Sequence, residues 1–228
     1  MDKIFCFGDS LTEGKPGISY IKFFKSPKAY KNYGLSGDTI THMVERLKKK
    51  INDTDYFIIG IGSNDILLPF FEDYSLSWNI AIKVQEKRNI KATEKLEDFI
   101  VNYENMLKLL IGKKVIIFSI PYFESSLDVL NEQALIYNKE IEKLCQKYKA
   151  PYVDIRSEQI KLGPNPTHKI PENWFVVPYD VILTRKEQNI NKLSKERGLK
   201  LTVDGIHFNL KSASLLAKLI EEKIKSSF

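Results

Sequence analysis

Short apolar runs alternate along this chain with longer segments in which apolar residues recur at helical spacing. The runs at residues 57–59 and 115–118 are apolar without a break, as in strands that are buried on both faces. Such alternation is typical of an α/β fold, in which helices cover a parallel sheet. The predicted strands span residues 3–7, 30–33 (weakly), 56–61, 114–120 and 152–155, and the predicted helices span 39–50, 94–111, 127–148 and 210–224.

The length of 228 residues suits one compact domain, since single cores commonly hold about 100 to 250 residues. Hydrophobic residues make up 43% of the chain, which excludes a disordered protein and predicts a packed core. Residues 69–88 and 156–201 fit the alternation poorly, and long irregular segments in compact domains often cover functional sites. We therefore predict a single domain over 1–228, with lid or pocket insertions at 69–88 and 156–201.

Basic residues exceed acidic residues by 35 to 29, which gives a formal net charge of +6. The lysines are spread over many segments, and the cluster at 48–50 ends a predicted helix, where the helix dipole favours cations. No nucleic-acid-binding motif accompanies the charge. We interpret it as a solvated surface and predict no nucleic-acid partner.

The first residues carry only four apolar positions before Gly8, which is too few for a signal peptide. No later apolar run approaches the roughly 18 residues that span a bilayer. Cys6 falls in a predicted strand and Cys145 in a predicted helix, which favours two core thiols over a disulfide. We expect a cytoplasmic protein without a transmembrane segment.

Ser10 lies in a Gly-Asp-Ser-Leu turn directly after the first predicted strand. The turn would present the hydroxyl at the carboxyl end of the sheet, where α/β proteins place their ligands. Ser10 is therefore a candidate nucleophile. Taken alone, the turn is also compatible with an ordinary loop.

Two further turns offer hydrogen-bond donors. Gly37 precedes a predicted helix, where a positive φ angle would let its N–H face an anion. Asn64 follows the most apolar strand and offers a neutral amide, the kind of donor that stabilises a tetrahedral oxyanion. The alternatives are a helix cap at Ser36 or Asp38, and an Asx turn at Asn64.

Asp204 and His207 lie three residues apart just before the last predicted helix. In such a turn the carboxylate can bond the imidazole Nδ1 and leave Nε2 to take a proton from a serine. The alternative is a chance surface turn. His42 and His168 have no partner at metal-ligand spacing, so we assign them structural roles and predict no metal or organic cofactor.

The order of Ser10, Gly37, Asn64, Asp204 and His207 resembles the SGNH (GDSL-type) hydrolase family, and the resemblance extends over the whole chain. It implies a flavodoxin-like, three-layer α/β/α sandwich with a central parallel sheet of about five strands. It also implies that Ser10 is the nucleophile of a catalytic triad with His207 and Asp204. The implied oxyanion hole consists of the N–H groups of Ser10 and Gly37 and the Asn64 side chain.

This resemblance implies a serine esterase or lipase that cleaves carboxylic esters through an acyl-enzyme. The absence of a G-x-S-x-G turn argues against the α/β-hydrolase family. The alternatives are an acyltransferase that uses the same intermediate and a non-catalytic binder of acylated sugar or lipid. The expected substrate is a small-molecule ester, whether an acetyl ester, an acylated carbohydrate or a lysolipid. The aromatic residues that could form an apolar acyl pocket are Phe70, Phe71, Tyr74, Trp78 and Trp174.

Overall fold

A parallel sheet of five strands forms the centre of the protein in the computed structural model, which describes residues 3–228. The strand order is β2-β1-β3-β4-β5, and the predicted α/β fold is confirmed. The strands are β1 (Ile4–Gly8), β2 (Tyr30–Gly34), β3 (Tyr56–Gly60), β4 (Lys114–Phe118) and β5 (Tyr152–Val153). Strand β5 is shorter than predicted because Asp154 accepts a hydrogen bond from the Ser157 N–H and caps the next helix.

Ten α-helices and two short 3₁₀ turns, at Tyr20–Phe23 and Pro27–Ala29, connect these strands within the described residues. The helices are α1 (Ser10–Glu13), α2 (Ile40–Lys48), α3 (Ser63–Glu72), α4 (Leu76–Glu86), α5 (Leu96–Leu109), α6 (Asp128–Tyr148), α7 (Ile155–Lys161), α8 (Val176–Leu183), α9 (Glu187–Glu196) and α10 (Leu210–Ser227). None of the helices in residues 3–228 is both long enough and apolar enough to cross a membrane.

Two apolar cores, one on each face of the sheet, produce the three layers. Side chains alternate along a strand, so Phe57 and Ile59 of β3 pack on one face while Ile58 packs on the other. Helices α2 to α6 contribute to the first core, and α7, α9 and α10 contribute to the second. Cys145 lies in the first core and Cys6 in the second, and both thiols are free.

Segment 69–88 is mostly helical and about half of 156–201 is helical, so the prediction that they are irregular is wrong for these parts, whereas residues 162–175 contain no helix or strand. The first contains the end of α3 and all of α4, and the second contains most of α7 together with α8 and α9. Two of these helices, α4 and α8, lack a single buried apolar stripe. Helix α4 buries Trp78 and Ile82 while exposing Leu76 and Ile80, and α8 is apolar nearly all round. A search for one-sided periodicity therefore misses them.

The carboxyl ends of β1, β2 and β3 lie side by side and lead to Ser10, Gly37 and Asn64, respectively. Packing is tight at this edge, since a Cβ on Gly60 would come within 1.8 Å of the Phe118 ring. Glycine at the end of β3 therefore lets the aromatic side chain of β4 cover the strand.

Candidate active site

Ser10 is the first residue of α1, directly after β1. Asp9 caps this helix, because its Oδ1 accepts a hydrogen bond from the Leu11 N–H at 2.9 Å. The Ser10 side chain is nearly buried, and its Oγ lies 2.9 Å from His207 Nε2. The strand-to-helix turn thus brings a hydroxyl from the start of the chain to an imidazole near its end.

Asp204 holds both the ring and the backbone of His207. Its Oδ2 lies 2.7 Å from His207 Nδ1, and its Oδ1 accepts the N–H groups of Ile206 and His207 at 3.0 and 2.8 Å. The carboxylate therefore fixes the orientation of the imidazole and directs Nε2 towards Ser10.

The charges of this buried pair stabilise each other. Burial acts to raise the pKa of Asp204, but the His207 charge and the hydrogen bonds outweigh it, so the pKa lies below its usual value. Burial acts to lower the pKa of His207, but the Asp204 carboxylate outweighs it and the pKa lies above its usual value. The site therefore favours an imidazolium beside a carboxylate, which is the charge state formed when the histidine accepts a proton.

The two predicted oxyanion donors line the same cavity as Ser10. Gly37 has a φ angle of +82°, which glycine adopts without the strain that a side chain would cause. Asn64 is nearly buried, and its Nδ2 donates to the Asp38 carbonyl at 2.9 Å. That bond uses one amide hydrogen and leaves the second for another acceptor.

Asp38 links the Gly37 turn to the neighbouring helix through two side chains of α2. Its buried carboxylate contacts His42 Nδ1 at 2.6 Å and forms an ion pair with Arg46 on α2. Desolvation acts to raise the pKa of Asp38 and Arg46 acts to lower it, with a net rise. His42 thus supports the turn, in line with its assigned structural role.

His168 does not line the cavity. The His168 ring packs against the turn before His207, with Cδ2 3.1 Å from the position of a Cβ built on Gly205. Over residues 3–228, no group of three or more His, Cys, Asp or Glu side chains has the spacing to hold a metal ion.

Glu124 is a buried residue that holds the loop leading to Asp204, and sequence reasoning did not single it out. Its carboxylate accepts N–H groups from Asn165, Lys200, Leu201 and Thr202, at 2.8 to 3.2 Å. No local sequence motif indicates this role, because the hydrogen-bond partners of Glu124 lie 41 to 78 positions away in the chain.

A cavity of about 800 Å³ opens beside Ser10, His207 and Asn64. Side chains from both 69–88 and 156–201 form much of its wall, and most of them are apolar. Of the five aromatic residues that sequence reasoning selected, Phe71, Trp78 and Trp174 line it, whereas Phe70 and Tyr74 pack outside its lining. The wall residues that sequence reasoning missed include Leu67, Leu68, Ala81, Gln85, Ile170, Val177 and Val181.

A three-layer α/β/α protein with a Ser–His–Asp chain of hydrogen bonds at the carboxyl edge of its sheet has the architecture of a serine hydrolase. The chain belongs to the GDSL-like lipase/acylhydrolase family, whose sequence profile matches residues 4–220. The protein is therefore a carboxylic ester hydrolase of the GDSL type.

Solved structures share this fold at low sequence identity. A lipase/acylhydrolase from Enterococcus faecalis is 22% identical with a TM-score of 0.62, over 99% of this chain and 96% of that one. A GDSL-like lipase from Bacteroides thetaiotaomicron is 16% identical with a TM-score of 0.63, over 100% and 89% of the two chains. An acetylxylan esterase from Geobacillus stearothermophilus is 13% identical with a TM-score of 0.63, over 100% and 94%. A search of curated protein sequences gives no significant match.

Proposed function

We propose that the protein hydrolyses carboxylic esters of medium or long acyl chains through an acyl-enzyme on Ser10. The observation that carries this proposal is the hydrogen-bonded series Asp204–His207–Ser10, which ends in a large apolar cavity. A positioned base next to a serine hydroxyl activates it as a nucleophile.

In the first half-reaction, His207 Nε2 takes the proton of Ser10 while Oγ attacks the ester carbonyl carbon. The N–H groups of Ser10 and Gly37 and the Asn64 amide stabilise the negative charge that develops on the carbonyl oxygen. When the intermediate collapses, the bond to the alcohol breaks and His207 returns its proton to the leaving oxygen.

In the second half-reaction, His207 takes a proton from water, whose oxygen attacks the acyl-enzyme. The bond to Ser10 then breaks, the carboxylic acid is released, and Ser10 regains its proton from His207. Asp204 stabilises the imidazolium in both halves, which agrees with the raised pKa of His207.

The cavity supports an acyl group larger than acetyl. Ligand pockets of about 300 to 1,000 Å³ hold whole drug-sized molecules, and an acetyl group would leave most of this volume empty. Each methylene of a longer chain that leaves water contributes about 0.8 kcal/mol of binding energy. Segments 69–88 and 156–201 both line the cavity, which supports the proposal that they are insertions that shape it.

The test is the hydrolysis of p-nitrophenyl esters of increasing chain length by the wild type and by Ser10→Ala. We expect kcat/KM to rise from acetate to the longer esters, and Ser10→Ala to lose nearly all activity at every length while keeping its circular dichroism spectrum. Wild-type activity in Ser10→Ala would contradict the serine mechanism. A preference for acetate would contradict the proposed substrate class. Product analysis with added glycerol would reveal transfer to an alcohol instead of hydrolysis.

A further inference from the structure

Helix α8 buries its charged residue and exposes apolar side chains, which is the opposite of an ordinary surface helix. Its single charged residue, Asp180, is 1% exposed and accepts two hydrogen bonds from Arg197, at 2.6 and 2.8 Å. Tyr179 and Ile182 are exposed, and Phe175, just before the helix, is 69% exposed. A surface helix of a soluble protein normally buries its apolar residues against the core and exposes its charged residues to water.

Helix α4 carries a second exposed apolar stripe. Leu76, Ile80 and Val84 are spaced four residues apart, which places them on one face of the helix. All three are exposed, Leu76 to 77%, while Trp78 and Ile82 of the same helix are buried. The stripe is therefore additional to the face that packs on the core.

Hydrogen bonds join α4 to the segment that leads into α8. Ser77 Oγ accepts the Trp174 N–H at 2.6 Å and donates to the Glu172 carbonyl at 3.1 Å. Trp78 Nε1 donates to the Pro171 carbonyl at 2.9 Å. The two exposed apolar surfaces are thus held together as one structural unit.

Part of this unit lines the cavity that contains Ser10. Leu76, Ile80, Val84 and Phe175 belong to the cavity lining although they are exposed. We call these four residues, together with Tyr179 and Ile182, the apolar rim. Large contiguous apolar patches on soluble proteins usually mark interaction sites.

We propose that the apolar rim docks on an anionic lipid surface, so that an ester's acyl chain passes from that surface into the cavity. The inference rests on the proposed function, since it supplies the source of a long-chain ester. A second copy of this chain on the rim would cover the opening, whereas a lipid surface would deliver a chain through it.

Cationic residues near the rim favour anionic lipid. Arg88 lines the cavity, and Lys83 and Lys87 are exposed on α4 and just beyond its end, whereas Lys15, which also lines the cavity, pairs with Glu13. Their charge matches the excess of basic residues in the whole chain. Apolar side chains and nearby cations together are the usual means by which proteins bind such surfaces.

The first test uses Ser10→Ala, which keeps the surface and removes hydrolysis. We expect it to sediment with vesicles of equal parts phosphatidylcholine and phosphatidylglycerol, and less with phosphatidylcholine alone. Adding Tyr179→Ser and Ile182→Ser should weaken sedimentation about tenfold or more, because two apolar side chains no longer leave water. The control is Ile111→Ser, which removes a 70% exposed side chain from the opposite edge of the sheet and should leave sedimentation unchanged.

A second measurement needs no substitution in the rim. Both tryptophans of the chain, Trp78 and Trp174, line the cavity inside the rim. Brominated phosphatidylglycerol in the vesicles should therefore quench the fluorescence of Ser10→Ala.

Absence of sedimentation and quenching, or rim-dependent dimerisation in the ultracentrifuge without vesicle binding, would overturn the docking inference. Hydrolysis of soluble esters by the wild type would then still support the proposed function, whereas vesicle binding without any ester hydrolysis would refute that function alone.

Discussion

Glu124 and Thr202 are joined by two hydrogen bonds, since Glu124 Oε2 accepts both the N–H and the hydroxyl of Thr202 at 2.9 Å. The Thr202 hydroxyl oxygen in turn accepts the Gly205 N–H at 3.1 Å. The buried carboxylate thus connects the loop after β4 to the turn that carries Asp204 and His207. We infer that Glu124 is a positioning residue for that turn.

Replacing Glu124 by Gln should lower both stability and turnover. The amide lacks the full charge, and its NH₂ group would face N–H donors, so we expect a loss of about 2 to 3 kcal/mol in unfolding free energy. A displaced His207 should lower kcat by about 10²-fold. KM should change little because the cavity wall is retained.

The measurement for Glu124→Gln is urea unfolding together with kcat and KM well below the melting temperature. Glu45→Gln, which alters a solvent-exposed carboxylate on α2, is the matched control. Unchanged kcat in a folded but destabilised Glu124→Gln would show that the residue acts on stability only.

The pH dependence of activity should report on the Asp204–His207 pair. His207 must be neutral to take the Ser10 proton, so kcat/KM should rise with pH through a pKa above the ordinary histidine value. Asp204→Asn should move that midpoint to lower pH and reduce the plateau by roughly 10⁴-fold, as the same change does in a serine protease triad. An unshifted midpoint in the variant would argue against the pair as its source.

Asn64→Ala should remove one oxyanion donor and lower kcat by about 10² to 10³-fold. Its stability should fall by only about 1 kcal/mol, for the lost bond to the Asp38 carbonyl. Asn102→Ala is the matched control, because the Asn102 amide also donates to a backbone carbonyl, that of Asp98, but in an exposed hydrogen bond on the outer side of α5. Equal kcat in both variants would exclude Asn64 from the oxyanion hole.

Gly37→Ala tests the close contact between the Gly37 turn and α4. A Cβ at this position would lie 2.5 Å from Gln85 Oε1, and the φ angle of +82° adds backbone strain of about 1 to 2 kcal/mol. Combining it with Gln85→Ala should relieve the contact but not the strain. Urea unfolding of the wild type, the two single variants and the double variant measures this relief. The double variant should lose less unfolding free energy than the two single variants lose together.

Asp65 should make the protein less stable as the pH rises from about 4 to 7. Burial is the main cause that raises its pKa to about 7, against hydrogen bonds from the Ile40 and Thr93 N–H groups. The folded chain then keeps a proton that the unfolded chain loses near pH 4, so unfolding becomes easier across this range. Asp65→Asn should flatten the dependence in urea unfolding at several pH values, whereas Asp53→Asn at an exposed site should not.

The sheet and the placement of five site residues could be predicted because their signals are local. Apolar runs indicate buried strands, and Ser10, Gly37 and Asn64 each follow one of three adjacent strands. Parallel strands bring their carboxyl ends to one edge, so those turns had to lie close together. The catalytic roles of these residues and of Asp204 and His207 stay predictions until the variants are measured.

Glu124, Gln85 and α8 could not be predicted because their surroundings are set by distant parts of the chain. A single glutamate after a strand has no pattern, and its role follows from partners such as Thr202. Gln85 contacts Gly37 only after α4 has packed over the turn. Helix α8 lacks a polar face, so its sequence has no helical period to detect.

The contact between Ser10 and His207 joins positions 197 residues apart. During synthesis Ser10 leaves the ribosome long before His207. A nascent chain that already contains all five strands therefore still lacks the histidine that would act as the base. Contacts of such long range also tend to form slowly when a chain refolds. The recovery of ester hydrolysis therefore reports the late step of refolding in which His207 reaches Ser10. The far-ultraviolet circular dichroism of the other helices should recover earlier.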